Sequence, residues 1–313
     1  MKISEPAIIF LGTSEFAVPF LQVLVGRGFK PVLVVTQPDE PSGRSQKLQS
    51  PPVKIQADIL KLKVAQPRNS EELKKVFNNN PADICVLVAY GRIIPAEILN
   101  KIKLGFINVH PSLLPKYRGS SPVQSAIFNG DKETGITIML LDPKTDHGPI
   151  LAEQKVAILP NDNNQTLHQR LADNGTDFLI QTLQKYLSGE ITTRPQDHSR
   201  AIYTKIIKRA DGRLDWSRSA DDLERQFRAF YPWPGVFTYW GNKRLKIGKM
   251  KVLDGVLSQS LVPGQVFLVN NTLAIKCGQG AIIFDTIQLE GKNEMTASEF
   301  LRGYKNIENE TLS

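Results

Sequence analysis

Asn108 and His110 stand two residues apart in a short apolar run, residues 106–109, whose continuation breaks at Pro111 and Pro115. On a β-strand this spacing sends both side chains to one face. An amide beside an imidazole at the carboxyl end of a strand is a pairing suited to acyl transfer. The amide can donate to an oxygen that gains negative charge, and the imidazole can carry a proton. A buried strand with two polar residues satisfied by their neighbours accounts for the spacing equally well. A nearby carboxylate would favour the chemical reading, because it orients an imidazole and favours its cationic form. Residues 142–149 offer two, Asp142 and Asp146, with His147 as a second imidazole. Asp146 is the candidate; Asp142 competes on spacing, and an Asx turn is the plain alternative.

The elements that must position these groups are legible as alternating patterns. Strands are expected at residues 8–11, 31–36, 64–66, 84–89, 106–109 and 135–141. Helices are expected at 16–24, from 50, from 70, at 95–99 and at 122–129. Strands alternating with helices imply an α/β fold with a doubly wound, mostly parallel sheet, whose ligands bind beyond the carboxyl ends of the strands. A polar, proline-containing stretch near 189–197 changes the pattern. Beyond it come a helix at 219–230, short strands separated by turns such as Asn270-Asn271, and a final helix at 297–301. Many short strands with turn signals point to a smaller C-terminal β-barrel, of the oligonucleotide-binding-like kind. The expected division is residues 1–189, a Rossmann-like catalytic domain; 190–208, a linker; and 209–313, the barrel.

The chain has 313 residues, a net charge of +8, two cysteines and four histidines. Its length suits two domains. No apolar run approaches the roughly 18 residues of a membrane helix, and the start lacks a secretory pattern. Cys85 and Cys277 are far apart, and Cys85 falls in an expected core strand, as suits reduced thiols in a reducing compartment. The histidines and cysteines show no metal-ligand spacing, so no metal is expected. Between Lys205 and Lys251 twelve Lys or Arg residues face five acids. Nearly the whole surplus of positive charge lies in this one segment, as expected for a nucleic-acid partner; a solvated linker and helix face is the alternative.

Four further segments carry weaker signals. Residues 12–17 occupy the place of a phosphate loop but hold one glycine and no P-loop lysine, so a tight strand-to-helix turn is expected. The polar insertion 37–50 is long for a strand-to-helix connection, and its Arg44 and Lys47 could meet phosphates. Gly91, after the strand at 84–89, would let a backbone approach a flat ligand. Tyr231, Trp233 and the prolines beside them form a turn whose aromatics could stack on bases but more often pack a helix on a barrel.

Taken together, the runs LGTSEFAVPFL, TQPDEPSGRSQKLQSPPVK, VAYGRIIP, INVHPSLLPKYRGSSPVQSAI, ETGITIMLLD, DHGPIL, DGRLDW and FYPWPG resemble the methionyl-tRNA formyltransferase family over almost the whole chain. The NVHPSLLPKYRG run marks the wider superfamily that uses 10-formyltetrahydrofolate. The resemblance implies formyl transfer from 10-formyltetrahydrofolate to the methionine amino group of initiator methionyl-tRNA, with Asn108, His110 and Asp146 as the catalytic trio. It implies folate contacts at Val88, Ala89, Tyr90, Gly91, Ile93, Ser112, Leu113, Leu114, Pro115 and Asp142. Ser112 is expected to position backbone rather than act as a nucleophile. Contacts to tRNA are expected at Arg44 and Lys47 of the insertion and, from the basic segment, at Lys208, Arg209, Lys246 and Lys249. The family often has a small residue where His147 stands, which leaves the role of this imidazole open. A cytoplasmic monomer is expected. The closest rivals are a 10-formyltetrahydrofolate hydrolase, with water as acceptor, and another formyltransferase on the same scaffold.

Overall fold

The computed structural model describes residues 6–42, 46–253 and 260–313; Arg44 lies outside the described residues. The chain divides into two compact units. One comprises Met1–Pro122, Glu133–Ala157 and Leu167–Lys205, and the other Val123–Lys132, Ile158–Thr166 and Ile206–Ser313.

In the first unit the apolar runs become the strands β1 (Ile8–Gly12), β2 (Leu33–Val35), β5 (Val64–Ala65), β6 (Ile84–Val88), β7 (Phe106–His110), β8 (Glu133–Leu140) and β9 (Ile150–Ala157). They form one sheet in the order β5-β2-β1-β6-β7-β8-β9. The pairs from β5 to β7 are parallel, and β7-β8 and β8-β9 are antiparallel. The parallel strands β1, β2, β6 and β7 are buried on both faces, which is why they read as unbroken apolar runs instead of alternating ones. The chain works outward from β1 to β5 and then returns to β6, so the order reverses between β1 and β6. Ligand crevices of open α/β sheets form at such a reversal.

The helices in chain order are α1 (Val18–Gly26), α2 (Pro52–Ile59), α3 (Ser70–Asn79), α4 (Ala96–Leu99), α5 (Pro122–Phe128), α6 (Asn164–Leu187), α7 (Ala220–Phe230) and α8 (Ala297–Gly303). The helix α3 (Ser70–Asn79) starts where the Asn69 side chain accepts the N–H of Glu72 at 2.9 Å. It brings Leu73 and Phe77 to a core that includes Ile9, Leu11, Cys85, Tyr90 and Phe106. The helix α1 (Val18–Gly26) buries Phe20, Leu21 and Leu24. A Cβ on Gly175 would lie 2.7 Å from the Phe20 ring, so this glycine admits α6 (Asn164–Leu187) to close packing. Neither β9 nor α6 is expected from the sequence. The polar insertion is a two-stranded ribbon of β3 (Glu40–Ser42) and β4 (Lys47–Gln49).

The second unit carries the antiparallel strands β10 (Val236–Trp240), β11 (Lys243–Val252), β12 (Val266–Val269), β13 (Thr272–Lys276), β14 (Ala281–Leu289) and β15 (Met295–Thr296). Five run in the order β10-β11-β14-β13-β12, and β15 pairs with β14. Asn270 and Asn271 join β12 to β13 with φ of +49° and +59°. Two left-handed residues in a two-residue hairpin match the type I′ turn, and asparagine tolerates that conformation. The last residues link the two ends of the sheet. Val266 N–H donates to Glu310 O at 2.8 Å on the β12 side, and Tyr239 N–H donates to Ser313 O at 2.8 Å on the β10 side. The barrel is thus completed by the tail.

The helix α7 (Ala220–Phe230) opens with the Ser219 hydroxyl accepting the Asp222 N–H, and α8 (Ala297–Gly303) opens with a reciprocal Thr296–Glu299 cap. Phe230 is buried and stacks on Phe128. In the aromatic turn Tyr231 keeps a ring contact with Phe227 of α7, with centroids 6.4 Å apart, while Trp233 is 51% exposed.

Candidate active site

Asn108 and His110 lie on β7, each 5% exposed. The ring of His110 is held by its Nε2, 2.9 Å from the carbonyl oxygen of Tyr117. A carbonyl only accepts, so Nε2 carries the proton in this contact. That leaves Nδ1 as the nitrogen that can gain or release a proton, and it faces Asp146 Oδ2 at 3.6 Å. The sequence assigns the orienting of this ring to Asp146; in the structure the Tyr117 carbonyl makes the closer contact. Asp146 is in turn fixed by the Gly119 N–H, which donates to Oδ2 at 2.7 Å. The Asn108 amide donates to Asp146 Oδ1 at 3.5 Å, the outer limit of a hydrogen bond. The three expected catalytic side chains therefore converge, and Asn108 keeps donor capacity to spare.

The backbone that achieves this is unusual. Tyr117 and Asp146 adopt φ of +64° and +47°, and Gly119 adopts +104°. A Cβ on Gly119 would lie 2.9 Å from Thr204 Oγ1, so the turn requires glycine at this position. Ser112 is buried, and its hydroxyl donates to Lys116 O at 2.6 Å while its carbonyl accepts from Thr137 Oγ1 at 2.7 Å. A hydroxyl used in this way positions the turn and is not poised for attack.

At the reversal point, Thr13 N–H donates to Ala89 O at 3.2 Å, and Tyr90 O accepts from Thr13 Oγ1 and Gln37 Nε2. A Cβ on Gly12 would lie 2.8 Å from the Phe10 ring and 3.0 Å from Val88 O, which makes this glycine a packing residue. The side chains of Val88, Tyr90 and Leu114 belong to the core. Burial pushes the Tyr90 phenol above its ordinary pKa. From the expected folate set this leaves Ala89, Gly91 and Ile93 exposed, with Ile93 at 79%, and Leu113 and Pro115 half-buried. Gly91 has φ of +79°.

Asp142 is engaged on both oxygens. Oδ1 accepts the Lys144 N–H at 2.9 Å, and Oδ2 lies 2.5 Å from His147 Nδ1. The His147 ring stacks on His198, with centroids 3.8 Å apart. Arg118 Nη2 lies 2.9 Å from His198 Nδ1. A guanidinium only donates, so His198 accepts there through an unprotonated nitrogen. Desolvation first, then the charges of His147 and Arg118, hold its pKa below the ordinary value.

Lys47 is exposed on β4, and Lys208 and Arg209 are exposed in the second unit. Lys246 and Lys249 are three apart on β11, yet both face outward while Leu245, Ile247 and Met250 are buried. A register shift between Ile247 and Met250 resets the alternation. Sequence reasoning misses Tyr117, Gly119, Arg118 and Gln196. Tyr117, Arg118 and Gly119 fall in the run at 115–119, where a proline and a glycine mark a turn without disclosing its contacts, and Gln196 carries no local signal. Among the described residues no group of His, Cys, Asp and Glu is arranged to hold a metal ion, and no helix is long and apolar enough to cross a membrane.

A family described as "Formyl transferase" matches residues 6–183, and one described as "Formyl transferase, C-terminal domain" matches residues 206–305. With the strand-order reversal and the converging amide, imidazole and carboxylate, these define the chain as an enzyme of the formyl transferase class. Relatives narrow the class. A methionyl-tRNA formyltransferase of Thermodesulfovibrio yellowstonii is 42% identical over 95% of this chain and 96% of its own. One of Citrifermentans bemidjiense is 39% identical over 95% of this chain and 93% of its own. The chain belongs to the methionyl-tRNA formyltransferase family. The fold is shared with an N-formyltransferase of Helicobacter canadensis solved with folinic acid and dTDP-3-aminofucose. That structure has a TM-score of 0.68 and 19% identity, covering 88% of this chain and 98% of its own.

Proposed function

We propose that this protein transfers a formyl group from 10-formyltetrahydrofolate to the methionine amino group of initiator methionyl-tRNA, and so serves translation initiation. The observation that carries the reading is the convergence of Asn108 and His110 on Asp146, whose carboxylate oxygens lie 3.5 Å from the Asn108 amide and 3.6 Å from His110 Nδ1, in a chain whose relatives across nearly its full length are methionyl-tRNA formyltransferases.

The residues present fit the folate. Ala89, Gly91 and Ile93 offer exposed backbone and apolar surface at the sheet's reversal point, with Leu113 and Pro115 half-buried nearby in sequence to β7. When bound, 10-formyltetrahydrofolate would supply the formyl carbon on an aryl amine nitrogen. The methionine nitrogen attacks as the neutral amine, and Asp146, fixed by Gly119, takes the proton it must lose as the new C–N bond forms. Asn108 donates its amide hydrogen toward the formyl oxygen as negative charge develops there. His110, held at Nε2 by Tyr117, adds positive charge when protonated at Nδ1 and delivers that proton to the departing nitrogen. Asp142, already engaged by His147, lines the same loop.

Arg44 and Lys47 of the insertion, with Lys208, Arg209, Lys246 and Lys249 of the second unit, are proposed contacts to tRNA phosphates. Residues 1–189 are the proposed catalytic domain, 190–208 the linker and 209–313 the tRNA-binding domain. A cytoplasmic location suits the two buried, free cysteines, and the protein is proposed to act as a monomer. The test is product identity. With 10-formyltetrahydrofolate and methionyl initiator tRNA, formyl-methionine should accumulate on the tRNA; free formate without it would establish a hydrolase instead.

A further inference from the structure

We propose that Gln196 is a positioning residue for the transfer, setting the backbone of the Asp146 loop from a foundation provided by the buried guanidinium of Arg118. This inference rests on the proposed role of Asp146.

Gln196 is 6% exposed and uses both ends of its side-chain amide. Its Nε2 donates to Asp146 O at 3.0 Å and to Gly148 O at 2.7 Å. Its Oε1 accepts from Arg118 Nε at 3.2 Å and Nη2 at 2.6 Å. The amide's orientation follows from these partners. Reversed, it would aim N–H groups at a guanidinium and an oxygen at two carbonyls.

The loop held in this way is one that resists its own geometry. Asp146 sits in the left-handed region, and a Cβ on Gly148 would lie 2.0 Å from Leu140 O. Such a conformation persists when its surroundings over-determine it, and the two donors of Gln196 grip the carbonyls on either side of this turn. Arg118 is 1% exposed and anchored well beyond Gln196. Its Nη1 donates to the Tyr203 hydroxyl at 3.0 Å, its N–H to Ile202 O at 2.8 Å, and its carbonyl accepts from Thr204 N–H at 2.7 Å. It also stands between Tyr117, whose carbonyl holds His110, and Gly119, whose N–H holds Asp146. One buried cation is thereby tied to both reacting groups: through its chain neighbours on one side, and through Gln196 and the Asp146 backbone on the other. A misplacement of about 1 Å can cost a factor on the order of 10² in rate, so the grip bears on turnover even though Gln196 touches no substrate.

Gln196→Glu separates positioning from bulk structure. A carboxylate keeps the contact to Arg118 and strengthens it, but cannot donate to the two loop carbonyls. The kinetics of methionyl-tRNA formylation are measured for wild type, Q196E, Q196A, D146N and the D146N/Q196E double variant, with thermal melting of each. The expected result for Q196E and Q196A is a fall in kcat of about tenfold or more, with KM for both substrates within about threefold. Adding Q196E to D146N should cost less than about twofold, because Gln196 acts through Asp146. The inference is overturned if D146N is impaired but Q196E, or Q196A where Q196E does not fold, turns over within about twofold of wild type. It is equally overturned if the two losses multiply in full in the double variant. Wild-type turnover by D146N would instead overturn the proposed role of Asp146.

Discussion

Asn108→Ala should slow the reaction far more than it destabilises the protein. Asn108 is almost fully buried, yet among the described residues its side chain makes one hydrogen bond, the 3.5 Å approach to Asp146 Oδ1. A hydrogen bond that long contributes at most the low end of the usual ~0.5–1.5 kcal/mol to folding. Asp146 also keeps its 2.7 Å bond from Gly119 when the amide is removed. The stability loss should therefore stay near ~1–2 kcal/mol, most of it from the small void left behind. Loss of one preorganised donor to a developing oxyanion costs on the order of 10²–10³ in kcat, or about 2.7–4 kcal/mol. Because the donor acts mainly in the transition state, KM for the folate should change little. The assay is single-turnover formylation of methionyl-tRNA by Asn108→Ala, beside its thermal melt. A folded variant with kcat within threefold of wild type would refute the oxyanion assignment.

Three further outcomes are expected. Lys246→Ala and Lys249→Ala should each weaken tRNA binding and reduce the slope of log K against log salt by roughly 0.7–0.9, as measured by filter binding from low to moderate salt; an unchanged slope would remove that lysine from the contact set. The Asp39 carboxyl is held below its ordinary pKa first by the hydrogen bond from Lys54 and then by that from Gln66. A depressed carboxylate contributes stability above its unfolded value of 3.8 and loses it as pH falls through the lowered one. Asp39→Asn should thus lower the melting temperature at pH 7 and converge with wild type at the acid end, and a constant gap across pH would contradict the linkage. Burial pushes the Cys277 thiol up to about 12 and Cys85 well above its ordinary range, so alkylation by iodoacetamide at pH 8 should appear only on unfolding; rapid labelling of the native protein would contradict this.

The strands that build the site were legible because parallel strands buried on both faces are continuous apolar runs, as in residues 84–88 and 106–109. The same logic explains the omission of β9. Its sequence Ile-Leu-Ala-Glu-Gln-Lys-Val-Ala mixes charge into an outer strand of the sheet. The helix α6 does carry apolar positions, at Leu167, Leu171, Leu179 and Leu183, but Gly175 and a polar majority dilute the period. Asn108 and His110 could be paired from spacing alone, since a strand fixes which face each side chain takes. Asp146 needed the family resemblance, because Asp142 is equally close in sequence and is separated from it only by the loop that engages Asp142 with His147. Tyr117, Arg118 and Gln196 were not legible. Three of their contacts to the site use backbone atoms, and Gln196 meets Arg118 across 78 residues of chain; such contacts depend on the folded path and are not disclosed by a local pattern.

The most direct test of the account follows radiolabelled formyl groups through a single turnover, with enzyme in excess over methionyl initiator tRNA. Wild-type protein should move the label from 10-formyltetrahydrofolate onto the tRNA in step with folate consumption, while folded His110→Ala and Asp146→Asn variants bind both substrates and move almost none. Label released as formate, or either variant matching the wild-type rate, would contradict the claim that these three side chains form a formyl-transfer centre.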